Sequence, residues 1–206
     1  MEEKEIHDEL SAIRGLMERS SKFISLSGLS GILAGVYALI GAFFAYRLIY
    51  QGPTRIYDSL SMGAHTKTMY DLISIAVLVL LLSIVTGVIL SNRQARRKGQ
   101  PVWGKISRAL LFHMATPLIT GGILILIFIS RGYYGIITPS TLIFYGLSLV
   151  SASNFTFTDV KYLGLLEIVL GLIAACFPGY GLLFWAIGFG VLHIVYGSMM
   201  YLKYDR

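Results

Sequence analysis

This 206-residue chain has one cysteine and little charge. A lone Cys176 cannot close an intrachain disulfide, so a disulfide-stapled scaffold is excluded. Charged residues make up 14% of the chain, against about 25% in soluble domains. Hydrophobic residues make up 55%, and the mean hydropathy is +0.71. That balance excludes an ordinary soluble enzyme, a disordered chain and a nucleic-acid module. The basic n-region of a cleavable signal peptide is missing too: Met1-Glu2-Glu3-Lys4-Glu5 is acidic and the first apolar run begins at Phe23. The first span therefore reads as a retained signal anchor. No internal repeat is visible, which removes the usual mark of an inverted-repeat transporter.

What is present is a set of six apolar runs, about 23–46, 70–90, 109–130, 136–152, 160–177 and 182–201. A helix needs about 20 residues to cross a bilayer core of about 30 Å. Membrane β-strands would alternate in hydropathy over about ten residues, and the unbroken run Ile75-Ala76-Val77-Leu78-Val79-Leu80-Leu81-Leu82 does not. Helices satisfy their own backbone in lipid. The expected fold is all-α: a polytopic membrane bundle of six transmembrane helices over 23–206, preceded by an amphipathic cytoplasmic helix over 1–22. In that leading segment Ile6, Leu10, Ile13 and Met17 form one helical stripe. The stripe is flanked by mainly acidic residues, which suits docking on the bundle or on a protein partner better than an anionic leaflet.

The net charge of +6 is a topology signal. Lys4, Arg14, Arg19, Lys22, Arg93, Arg96, Arg97, Lys98, Lys105, Arg108, Lys161, Lys203 and Arg206 fall on one side of the six-span arrangement. Arg47, Arg55, Lys67 and Arg131 fall on the other. Basic loops stay inside, so both termini are expected in the cytoplasm, the membrane being the plasma membrane or a bacterial inner membrane. Tyr46, Tyr50, Tyr70, Tyr133, Tyr134, Tyr180 and Trp185 would then lie near the outer interface, and Trp103, Tyr162, Tyr201 and Tyr204 near the inner one. Thr138-Pro139 suggests a helix start, with the fourth span running on toward Phe157. Pro178-Gly179-Tyr180-Gly181 makes a tight outer turn between the last two spans.

Gly28, Gly31, Gly35, Ala38 and Ala42 share one face of the first span, a face that lets a second backbone approach closely. Its partner is either another span or a second copy of the chain. Within it, Gly28-Leu29-Ser30-Gly31 fits the pattern G-x-S-G, and His193-Ile194-Val195-Tyr196-Gly197 follows in the last span. These residues resemble rhomboid proteases, six-helix membrane enzymes with a serine nucleophile in such a motif and a catalytic histidine in a later span. The resemblance implies Ser30 and His193 as a nucleophile and base. It covers these stretches alone. The family carries its motif in the fourth span and has histidine and asparagine in the second, whereas here the motif is in the first span and the second holds no histidine.

Charge inside the spans is the more informative signal. An ionisable side chain at mid-helix costs about 2.5–3.5 kcal/mol to insert, so it faces inward and often marks function. Glu167, His113 and His193 are such residues. At 1.5 Å per residue they sit roughly 7, 6 and 12 Å in from the cytoplasmic side. Each shares a face with small or polar residues, and Ser83 and Thr86 of the second span lie at comparable depth. A polar pocket of Glu167, His193, His113, Ser83 and Thr86, open to the cytoplasm, is the expectation. It would suit a small solute- or proton-binding or transport protein. Two histidines and a glutamate are also a zinc set with an open position, although no close ligand spacing such as H-E-x-x-H occurs; that would make a metal-dependent hydrolase. Alternatively Glu167 and His193 only lock the last two spans together. A further alternative is a non-catalytic scaffold or signalling component acting through the N-terminal helix. The bilayer is the partner demanded by composition, a second copy or a cytoplasmic protein is a further candidate, and no cofactor is specified.

Overall fold

The computed structural model describes residues 27–50, 62–97, 99 and 103–205, the side chains of 62–66 excepted. The amphipathic segment 1–22 and the turn at Gln51-Gly52-Pro53 lie outside them. The described residues are all-α. Helix α1 is Gly28–Tyr50, α2 Met62–Arg97 and α3 Lys105–Ser130. A 3-10 turn, Tyr134–Ile136, leads into α4, Ile137–Ala152, followed by α5, Asp159–Cys176. The last helix, α6, is Gly181–Asp205 and contains two π-helical segments, Ala186–Leu192 and Tyr201–Asp205.

Among the described residues five helical stretches are long and apolar enough to cross a membrane: Gly28–Tyr50, Lys67–Arg97, Lys105–Ser130, Tyr134–Ala152 and Gly181–Asp205. The fifth apolar run is the difference from the expected six. Helix α5 has the necessary 18 residues, but Asp159, Lys161 and Glu167 put three charges among them. Helix bounds also move. Helix α2 outruns its apolar stretch at the Arg93–Arg97 end, because residues favourable to a helix carry it on beyond the apolar window. Helix α4 begins at Ile137, two residues before Pro139, without a side-chain cap from Thr138. It stops at Ala152 instead of continuing to Phe157. There Ser153 Oγ donates to the Val150 carbonyl and Asn154 Nδ2 to that of Ser151, local bonds that compete with another helical turn.

Two seams of small residues build the bundle. On α1, a Cβ at Gly31 would stand 3.1 Å from Gly197 Cα, and one at Gly35 would stand 2.7 Å from the Gly190 oxygen, both on α6. Gly35, Ala38 and Ala42 are buried. Between α4 and α5, a Cβ at Gly164 would stand 2.7 Å from the Gly146 oxygen, and one at Gly146 would stand 2.5 Å from the Gly164 oxygen. Backbone approaches backbone along both seams, the mode by which helices associate in lipid. Helix α6 joins the two halves, touching α1 on one side and α4 and α5 on the other. Gly179 adopts φ +99° in the turn between α5 and α6, a conformation that a side chain would strain.

Helices α2 and α3 are the flanks. The first packs on α1 and the second on α4. Their large apolar side chains, Leu80, Leu81, Ile89, Phe112 and Leu126 among them, are exposed as lipid-facing residues would be. A buried apolar cluster lies where α4, α5 and α6 converge: Leu149, Phe157, Val160, Leu163 and Met200, with Tyr145, Leu192, Tyr196 and Tyr204 packed against it.

Candidate functional site

Helix α5 presents Glu167 to α6 on the face that also carries Leu163, Gly164, Gly171 and Ala174, all buried. Glu167 is 0% exposed, and neither carboxyl oxygen meets a hydrogen-bond donor among the described residues. Buried polar groups in native proteins are nearly always hydrogen-bonded, so each exception calls for a reason. Opposite stands His193 of α6, 6% exposed, with Nδ1 3.5 Å from Glu167 Oε1.

The hydrogen bonds of His193 determine its tautomer. Nδ1 lies 2.9 Å from the Gly188 carbonyl oxygen, which only accepts, so Nδ1 carries the hydrogen and donates. In the neutral ring Nε2 is then an acceptor, and the Tyr145 hydroxyl at 2.7 Å donates to it. Tyr145 comes from α4, so three helices meet on one imidazole. Phe189 flanks the group, its ring 5.1 Å from that of Tyr145 and 5.3 Å from that of Trp185.

Local helix geometry makes the site. Gly188 belongs to the π-helical segment Ala186–Leu192, where the wider turn changes which carbonyls meet which amides. Such segments inside α-helices are frequent at functional sites. The missing side chain at Gly188 leaves the space in which the Glu167 carboxyl lies. The pair can hold one proton in two arrangements, a carboxylic acid beside a neutral imidazole or a carboxylate beside an imidazolium. The open acceptor positions of Glu167 suit a proton or another hydrogen-bonding or cationic guest.

The other sequence candidates sit elsewhere. His113 is exposed on α3, its ring 4.6 Å from that of Phe155. Helix α3 packs on α4, whereas Glu167 is on α5. Among the described residues no three His, Cys, Asp or Glu side chains gather as metal ligands would, so His113, His193 and Glu167 form no zinc set. Ser83 Oγ donates to the Val79 carbonyl of its own helix, and Thr86 lies 3.4 Å from the Tyr37 hydroxyl of α1. Both therefore face α1 or their own backbone. Ser30 Oγ donates to the Ser27 carbonyl, while the His193 ring is taken up by Tyr145 and Gly188. The Ser30–His193 pairing implied by the rhomboid likeness is not made.

The site includes residues that sequence reading passed over. Tyr145, one hydroxyl among several in the fourth apolar run, and the close pair Gly188 and Gly190 were the available signals. Beyond them, at the end of the bundle where α5 begins and α6 ends, Asp159 Oδ2 accepts from Lys203 Nζ and from the Tyr204 hydroxyl, each at 2.8 Å. The Lys203 ammonium holds the Asp159 carboxyl below the usual carboxylate range, with help from Tyr204. At the same end Asp205 Oδ2 accepts from the Gly28 amide at 2.8 Å and from Ser27 Oγ at 3.1 Å, while Oδ1 accepts from Gln94 Nε2 at 3.0 Å. One carboxylate thus caps α1 and ties it to α2 and α6.

A cavity of about 320 Å³ lies apart from this site, lined by apolar residues of α1, α2, α4 and α6 that include Ala45, Leu72, Ile137 and Trp185. No family model, no curated protein and no solved structure matches the chain.

Proposed function

We propose that this chain is a multi-pass membrane protein that binds a proton at the Glu167–His193 pair and passes it across the bilayer, with or without a small solute. One observation carries the reading: a carboxyl that is 0% exposed, with both oxygens lacking a donor, faces an imidazole at 3.5 Å. A lasting charge there would cost several kcal/mol, and ionisable groups inside membranes typically belong to proton or ion pathways. A purely structural lock would use the carboxyl oxygens as acceptors, and here they are unused. With α5 counted as a sixth crossing, the distribution of Lys and Arg supports cytoplasmic termini. The end of the bundle that carries Asp159, Lys203 and Asp205 then faces the cytoplasm.

The test is proton flux into proteoliposomes that enclose a pH-sensitive dye. A valinomycin-driven potassium potential, negative inside, supplies the force. Wild type should acidify the lumen, and Glu167→Gln should abolish the change while its unfolding temperature stays near that of wild type. Equal traces for the two proteins, or no flux through wild type, would overturn the reading.

A further inference from the structure

We propose that the Tyr196 hydroxyl relays protons between the surface cluster of Asp159, Lys203 and Tyr204 and the buried Glu167–His193 pair. The inference rests on the proton-site reading and names the route to that site.

Tyr196 Oη is buried and has no hydrogen-bond partner among the described residues. A buried hydroxyl left unpaired is destabilising, so it is poor material for a purely structural role. Its position gives it another. On α6 it comes three residues after His193, about 4.5 Å further along the axis toward Lys203 and Tyr204. Tyr145, Tyr196 and Tyr204 all pack against the one apolar cluster of Leu149, Phe157, Val160, Leu163 and Met200. On one side of that cluster Tyr204 is hydrogen-bonded to Asp159 of α5. On the other, Tyr145 of α4 is hydrogen-bonded to His193. Tyr196 shares the apolar cluster with both of these bonded groups.

The transfer balances without any co-reactant. Tyr196 accepts a proton from the Asp159 side and releases its own to the Tyr145 oxygen. Tyr145 gives its proton to His193 Nε2 along the 2.7 Å bond. His193 gives up the Nδ1 proton to the Glu167 carboxylate 3.5 Å away. One proton goes in at Tyr196 and one reaches Glu167. Each tyrosine ends with the hydroxyl it began with, and the imidazole ends neutral as the other tautomer.

The test uses the full-length protein in liposomes. Infrared spectroscopy follows the Glu167 carboxylic acid band, assigned by its loss in Glu167→Gln, as the buffer is exchanged for deuterium oxide. In Tyr196→Phe the band and its pH midpoint should be unchanged, while its shift to the deuterated form should slow on the order of 10²-fold, the scale of a lost proton-transfer group. Asp159→Asn at the surface should slow it in the same sense. Thermal unfolding should leave Tyr196→Phe as stable as wild type or slightly more so, because the deleted hydroxyl has no partner. An assigned band whose exchange is as fast in Tyr196→Phe as in wild type would overturn the relay alone. Absence of any band that Glu167→Gln removes would overturn the proton site and the relay with it.

Discussion

The Glu167 carboxyl and Gly188 occupy one space: a Cβ on Gly188 would stand 2.6 Å from Oε2 of Glu167. It would also stand 2.6 Å from Leu142 Cδ2, so both side-chain ends must move to admit it. Gly188→Ala should therefore push the carboxyl off its position beside His193. The expected loss is about 1–3 kcal/mol, the range for overfilling a packed interior. Chemical unfolding in mixed micelles measures it, and the Glu167 carboxyl band should move with it. Wild-type stability together with an unmoved band would show that the carboxyl does not depend on this glycine.

The seam between α1 and α6 separates from the exposed faces in the same assay. A Cβ at Gly197 would stand 2.5 Å from the Ile32 amide nitrogen and 2.8 Å from the Gly28 oxygen, so only a shift of whole helices can relieve it. Gly87 on α2 has no atom within 4 Å of such a Cβ. Gly197→Ala should destabilise by about 1–3 kcal/mol. Gly87→Ala should instead stabilise by about 0.5–1 kcal/mol, the difference in helix preference. Similar effects at the two positions would contradict the seam.

Asp205 reaches across the bundle to cap another helix. Asp205→Ala leaves the Gly28 amide without its acceptor, and loss of an N-cap costs about 0.5–2 kcal/mol. Asp205→Asn keeps an acceptor oxygen and should recover most of that loss. Hydrogen exchange at the first turn of α1 should rise in the alanine variant and stay near wild type in the asparagine variant.

Asp159 sets an acid limb. Its carboxyl is held below the ordinary carboxylate value by Lys203, so the pair's contribution is full above that value and is lost as pH falls through the lowered one. The pair is partly exposed, so its contribution is small and salt screens it. In Asp159→Asn the decline of unfolding temperature on acidification should be shallower than in wild type, and added salt should narrow the gap. Parallel curves at low salt would show that the pair carries no pH dependence.

Apolar periodicity made the helices legible, and the small residues from Gly28 to Ala42 marked the face that meets α6. Glu167 and His193 stood out because a bilayer makes ionisable residues expensive, and the tight turn at Gly179 made their two helices neighbours. Helix order was not legible. His113, Ser83 and Thr86 matched Glu167 in depth, yet depth along an axis says nothing about rotation around the bundle. Those three ended on α3 and α2, the flanking helices. The π-helical segment at Gly188 was hidden for another reason: its backbone pattern depends on what packs beside it, here the Glu167 carboxyl. Asp205 capping Gly28 joins residues too distant for any local capping pattern to reveal.

That last bond spans 177 positions, which constrains the order of assembly. Synthesis delivers α1 well before α6, and domains form from the N-terminal side as the chain emerges. The glycine face of α1 therefore waits in lipid for its α6 partner until α2 to α5 have been made. Helices α4 and α5 become neighbours with only a short loop between them and can pair early. The arrival of α6 covers α1, brings His193 to Glu167 and sets the Asp205 carboxylate on α1 in a single step. A ribosome stalled before α6 emerges would hold a chain with an open seam and an unmatched buried acid, the form a membrane quality-control protease would be expected to meet.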